Sequence, residues 1–112
     1  MKVSTQSLDY LFLRDGTDYI KIPYSDIIYV EADGNYAYLQ TTTKRFVIKR
    51  SLATIVGELP PATFLRASRG VLVNFDRVEQ LSFAEGTMHL GEHTVKMGKA
   101  YFADIKQRMP RL

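Results

Sequence analysis

The apolar residues of this chain come in short runs, each closed by turn-forming residues, and that spacing limits the fold to one built from brief strands. "DYLFL" and "YIKIP" flank "RDGT", where Asp15-Gly16 supplies the residues a tight turn favours. "DIIYVEA" and "YAYLQT" flank Asp33-Gly34-Asn35, a turn of the same chemistry. Tyr36, Tyr38 and Gln40 alternate with Ala37, Leu39 and Thr41, the period of a strand with one covered face. "RFVIK" follows after a short turn, and "FLRAS", "GVLVN", "RVEQLSF", "TMHL" and "HTVKM" are equally short and strand-like.

Helical period occurs twice. Ser51 reads as the N-cap of a helix with Leu52, Ile55, Val56 and Leu59 on one face, stopped by Pro60-Pro61. Phe102, Ile105 and Met109 repeat at similar spacing before Pro110, which predicts a short C-terminal helix. The expected fold is therefore mainly β, with about ten short strands in small packed sheets and two short helices. Helices do not alternate with strands, so a βαβ design is excluded.

The 112 residues fit one domain, and 46% hydrophobic content supports a modest core. Residues 1–8 read as a linker remnant and residues 9–112 as the domain. No apolar run approaches the length of a membrane span, and "MKVSTQSLDYLFLRDG" lacks the apolar core and cleavage site of a secretory signal. The chain has no cysteine, which removes disulfides, thiolate nucleophiles and cysteine–zinc sites. A cytoplasmic protein with no membrane partner is the expectation.

Several catalytic patterns fail on inspection. "HLGEH", His89 to His93, matches a zinc-peptidase spacing that requires both histidines on one helical face. Here the flanks are β-patterned. With Gly91-Glu92 as a two-residue turn, Leu90 opposes His93 and His89 opposes Thr94, so the histidines point apart. Glu31 and Asp33 lack the run of oxygen ligands that a calcium loop needs; Glu31 is expected to tie down the neighbouring turn. There is no phosphate-cradling glycine motif and no nucleophile elbow. No enzyme, metal or cofactor is expected.

Charge is unevenly placed. Residues 1–43 carry three Lys/Arg against six Asp/Glu, and residues 44–112 carry twelve against six, so a polyanion would meet the second half. In "FLRASRGVLVN" a turn projects Arg69 from its tip, with Leu65 and Ala67 on one face and Arg66 and Ser68 on the other. One use for such an arginine is solubility; another is two parallel donors to guanine O6 and N7. Asn35 offers an amide that suits adenine, and Lys99 a cation on a short connection. Lys49, Arg50 and Ser51 precede the first helix, where free backbone amides attract phosphate.

The ordered series "IPYSDIIYVEA", a loop and strand, a "SL…L" helix ending in prolines, "F-x-R-x-S-R-G-x-x-V-N" and a terminal segment beginning "VKMGKAYF" resembles the LytTR DNA-binding domain of bacterial transcription regulators. The resemblance covers roughly residues 10–109. It implies an elongated fold of about ten strands, with loops that enter successive major grooves of duplex DNA. Carried onto this chain, the base-reading positions are Asn35, Tyr36, Ser68, Arg69 and Lys99. The phosphate-contacting positions are Lys49, Arg50, Ser51, Gly70 and Arg66, the last at a position the family usually fills with an arginine that is either structural or in contact with the DNA backbone. The family often has His where Ser68 stands, Ser-Tyr in place of Gly70-Val71, and Ser in place of Gly98. Those departures leave more of the reading to Arg69 and make the preferred DNA sequence unpredictable. In the family such a domain usually follows a receiver domain in a two-component response regulator. A receiver domain missing from this chain, and self-association on adjacent DNA repeats, are expectations of the same kind. The rival readings are a β-rich protein-interaction or dimerisation module with an incidentally basic face, and a single-stranded nucleic-acid binder using its aromatics.

Overall fold

Turn residues set the hairpins, the hairpins set the sheets, and three small sheets result. The computed structural model describes residues 9–112, so the expected 1–8 linker lies outside the described residues. In chain order the elements are β1 (Tyr10–Asp15), β2 (Asp18–Pro23), β3 (Ile27–Asp33), β4 (Tyr36–Thr41), β5 (Arg45–Ile48), α1 (Leu52–Val56), β6 (Phe64–Ser68) and β7 (Val71–Asn74). β8 (Gln80–Ser82), β9 (Thr87–Leu90), β10 (His93–Lys96) and α2 (Phe102–Arg108) follow. The mainly β fold with two short helices is as the residue pattern predicts.

The sheets are β1-β2, the five-stranded β5-β4-β3-β7-β6, and β10-β9-β8. All neighbours are antiparallel. In the β3–β4 and β9–β10 hairpins the two-residue turn begins with a glycine at positive φ, Gly34 and Gly91. No other residue type among those described has positive φ, so the second turn residue is extended or helical, the pattern of a type II′ turn.

The five-stranded sheet is the middle layer, with a core on each face. One core joins Val30, Leu39, Phe46, Phe64 and Leu72 to Leu52, Ile55 and Leu59 around α1, with the β1–β2 hairpin packed against it. The other joins Leu65, Ala67 and Val73 to Met88, Leu90 and Val95 of the third sheet and to Ile105 of α2. Each fully buried aliphatic side chain contributes about 1.5–3 kcal/mol, so both layers hold the middle sheet rigid.

Asn74 is 1% exposed and joins the parts. Its amide nitrogen donates to the carbonyls of Ile27 at 3.0 Å and Tyr24 at 3.2 Å. Its Oδ1 accepts from the Asp76 N–H at 3.0 Å, which starts a 3₁₀ turn at Phe75–Arg77.

Four details differ from the expectations. α1 ends at Val56, and the chain continues through Gly57, still in right-handed helical conformation, into a tighter turn in which the Glu58 and Leu59 N–H groups donate to the Ile55 and Val56 carbonyls before Pro60; Leu59 is still buried. "RVEQLSF" yields only the three residues of β8, since the Asn74 cap commits the chain to a turn first. Glu31 does not tie down a turn: it pairs with Arg45 at 3.5 Å across β4, whose Tyr38 ring lies 4.4 Å beneath the Arg45 guanidinium carbon. The first hairpin turn comprises Gly16-Thr17, with Asp15 opposite Asp18, one residue later than Asp15-Gly16.

The histidine hairpin has the expected register, His93 opposite Leu90 and Thr94 opposite His89. His93 packs edge-on to Tyr29 with ring centres 5.5 Å apart, while His89 Nδ1 lies 3.2 Å from the Thr94 hydroxyl.

Candidate nucleic-acid interface

Strand direction brings the scattered loops to one end of the middle sheet. β3 leads into the Gly34-Asn35 turn, and its residue Glu31 opposes Val71, the first residue of β7. The Arg69-Gly70 turn therefore stands beside the Gly34-Asn35 turn. The Ala32 N–H donates to the Gly70 carbonyl at 2.8 Å and ties the two together. On the other side Ile48 opposes Ala37, so β5 delivers Lys49 to the same end.

Lys99 arrives by a different device. Arg66 opposes Leu72 and Ser68 opposes Val71, which leaves Ala67 as the extra residue of a β-bulge. The Ala67 carbonyl accepts from the Gly98 N–H at 2.8 Å. A Cβ on Gly98 would stand 3.3 Å from the Tyr101 ring and 3.6 Å from Ser68 Cα, so this backbone lies directly against the second turn. A 3₁₀ turn at Lys99–Tyr101 then presents the exposed Lys99.

The result is a row along one sheet end: Lys49, Asn35 with Tyr36, Arg69 with Gly70, Ser68, and Lys99. Five strands at ~4.8 Å spacing carry the row roughly 19 Å from Lys49 to Ser68, with Lys99 just beyond β6. Asn35, Tyr36, Lys49, Arg69 and Lys99 are exposed, and Ser68 and Gly70 are half-buried.

Three of the sequence-derived positions have partners inside the fold. Arg50 forms a two-pronged ion pair with Glu58. Its hydrogen bond lowers the Glu58 carboxyl below its ordinary value and raises Arg50. The Ser51 hydroxyl caps α1, accepting from the Thr54 N–H at 3.3 Å. Arg66 Nη1 donates to the Arg69 carbonyl at 2.8 Å. Ala32 and Gly98, whose backbone N–H groups hold the Gly70 and Ala67 carbonyls at this end, carry no charge, and only the Gly at 98 has a sequence signal: a residue with no side chain beside a turn.

The opposite sheet end holds a cleft of about 1040 Å³. Asp9, Asp76, Glu79 and Glu92 line it, while Arg77 also donates from Nε to the Ser25 carbonyl at 2.7 Å. Its charge is the wrong sign for phosphate, so this cleft is not the candidate nucleic-acid face. Among the described residues no helix is long and apolar enough to cross a membrane.

Comparison with known proteins agrees with this fold. Among solved structures, the LytTr DNA-binding domain of a Bacillus cereus protein described as a methyl-accepting/DNA response regulator is similar. It superposes with a TM-score of 0.77 at 20% sequence identity, covering 91% of this chain and 97% of that one, a likeness of fold. No curated protein matches. The family model described as "LytTr DNA-binding domain" matches residues 17–110, nearly the whole of the described chain. The three-layer β fold and that match together place the chain: it belongs to the LytTr DNA-binding domain family.

Proposed function

We propose that this domain binds duplex DNA sequence-specifically, through the loops at one end of its middle sheet, as the output domain of a bacterial transcription regulator of the two-component type. The carrying observation is the row from Lys49 to Lys99, which gathers loops from four separate chain segments onto one face. At roughly 19 Å it exceeds the ~12 Å width of a major groove, so it straddles a phosphate strand and offers side chains to more than one groove.

In this reading Asn35, Tyr36, Ser68, Arg69 and Lys99 meet base edges, with Arg69 the fork for guanine. Lys49 and the Gly70 backbone meet phosphates. Arg50 and Ser51 join them when Arg50 exchanges Glu58 for a phosphate, an easy exchange because exposed ion pairs are weak ties. Catalysis and cofactors have no part in it. The domain spans residues 9–112, works in the cytoplasm, follows a receiver domain in the intact regulator, and sits beside a second copy on adjacent DNA repeats.

The test is selection from a random duplex library at about 150 mM salt, where non-specific binding is already weakened, with Arg69→Ala in parallel. The expected result is a clear motif that blurs at one base pair in the variant, a loss of roughly 1–3 kcal/mol on the preferred site with little change on random duplex. Equal weakening on all sequences removes the reading role from Arg69. If no duplex is retained, the reading passes to protein partners, for which Phe12 and Tyr19, 59% and 64% exposed on the outer face of the β1–β2 hairpin, are the surface.

A further inference from the structure

We infer that Arg66 is a positioning residue for the second reading turn, acting on DNA sequence through Arg69 and not through a phosphate of its own. The inference rests on the loop reading proposed above. Arg66 is the last residue of β6 before the Ala67 bulge. A bulge interrupts the ladder, so the two-residue turn beyond it needs some other hold on its backbone.

Two hydrogen bonds supply that hold. Arg66 Nη1 fixes the Arg69 carbonyl at 2.8 Å, and the Ala32 N–H fixes the next carbonyl, that of Gly70, also at 2.8 Å. The peptide planes on both sides of Gly70 are thereby pinned, and the Arg69 side chain departs from a fixed backbone. A bidentate contact tolerates only about half an ångström and 10–20° of error, so a pinned backbone is worth more at this turn than another cation.

The state of the Arg66 guanidinium points the same way. Its Nε is shut off from solvent and has no partner among the described residues. A buried donor without an acceptor costs free energy and persists only where the surroundings fix the side chain. An arginine serving phosphate keeps its donors in water for the incoming anion. This one has one donor buried and another engaged by the backbone of the residue that reads. A lysine has the charge without the planar fork, and so separates the two roles.

The experiment measures binding of the selected duplex and of a scrambled duplex across a salt series, for the parent, Arg66→Lys, Arg69→Ala and the double variant. Amide spectra of the free proteins and melting curves are recorded alongside. The expected result for Arg66→Lys is about a tenfold loss on the selected duplex, part of the discrimination a bidentate contact provides, with the scrambled duplex and the salt slope unchanged. On the Arg69→Ala background the same change has no further effect, and the Arg69 and Gly70 amides shift in the free protein. Parent-like binding by Arg66→Lys, equal loss on both duplexes, an additive loss in the double variant, or unmoved amides each overturn the inference while leaving the loop reading in place. A parent with no preferred duplex overturns the loop reading, and this inference with it.

Discussion

Replacing Asn74 by alanine removes a polar junction whose energetic weight can be estimated bond by bond. The Tyr24 carbonyl also accepts the Ile27 N–H and so keeps a partner when the amide is gone. The Asp76 N–H belongs to an exposed residue and can turn to water. The Ile27 carbonyl belongs to a residue with 0% exposure, in a hydrogen bond that is buried, and loses its partner in the interior. That group costs roughly 1–3 kcal/mol, and the two rim bonds add about 0.5 kcal/mol each. The expected loss is about 2–4 kcal/mol, which for a domain of this size lowers Tm by roughly 8–20 °C. Urea unfolding followed by circular dichroism measures it directly, with the m-value expected to stay unchanged. Asn74 lies three residues beyond Val71, about 10 Å along β7 from the Arg69-Gly70 turn. DNA preference below the unfolding midpoint is therefore expected to match the parent. A loss under about 0.5 kcal/mol at constant m refutes the reasoning, since the least that an interior carbonyl costs is larger.

Three further outcomes follow from the ion pair and the turns. Glu58→Gln releases Arg50, so affinity for selected and random duplexes should rise together and the salt slope should steepen by about 0.9 if Arg50 then meets one phosphate. The same variant bears on acid stability: because the Glu58 carboxyl is held below its ordinary value by Arg50, the pair's stabilisation is present above the unfolded carboxylate pKa and fades as pH falls through the folded one. Glu58→Gln should remove that small acid-side slope in a pH series of urea midpoints. Gly34 has φ +63°, and a methyl group there would meet nothing within 4 Å, so Gly34→Ala carries a backbone cost alone, about 1–2 kcal/mol by the same urea assay. An unchanged midpoint there contradicts the turn assignment.

The histidine hairpin is legible in the sequence because a glycine opening a two-residue turn sets the register, and register sets faces; at Asp15-Gly16 the same signal lies one residue early. Leu90 opposite His93 and His89 opposite Thr94 follow from Gly91-Glu92 alone, before any tertiary contact is known. The pairing of β3 with β7 is not legible in that way. It joins residues some forty positions apart, such as Glu31 and Val71, and depends on how two cores fill both faces of one sheet. Yet that pairing stands the Arg69 turn beside the Asn35 turn. The family motif carries the site list where periodicity cannot.

What charge counting hides is the division of labour between arginine and lysine. Arg14, Arg66, Arg77 and Arg108 each donate to a backbone carbonyl, and Arg45 and Arg50 each pair with a carboxylate. The planar guanidinium can bridge and pack at once, whereas the compact ammonium of lysine is strongly hydrated and stays in water. Lys21, Lys44 and Lys106 lie over aromatic rings and Lys44 also pairs with Asp15, whereas Lys49, Lys96 and Lys99 have no hydrogen-bond, ion-pair or ring partner among the described residues. The excess of positive charge in the second half of the chain therefore overstates the charge free to meet a polyanion. Apart from Arg111 near the C-terminus, Arg69 is the arginine whose guanidinium engages no other described residue, and it stands at the tip of a turn. In the proposed reading this is the fork left for an external acceptor. On that reading the short stretch around Arg69 concentrates discrimination, with Lys99 beside it, while Lys49 sets how tightly, and how salt-dependently, the domain would hold any duplex.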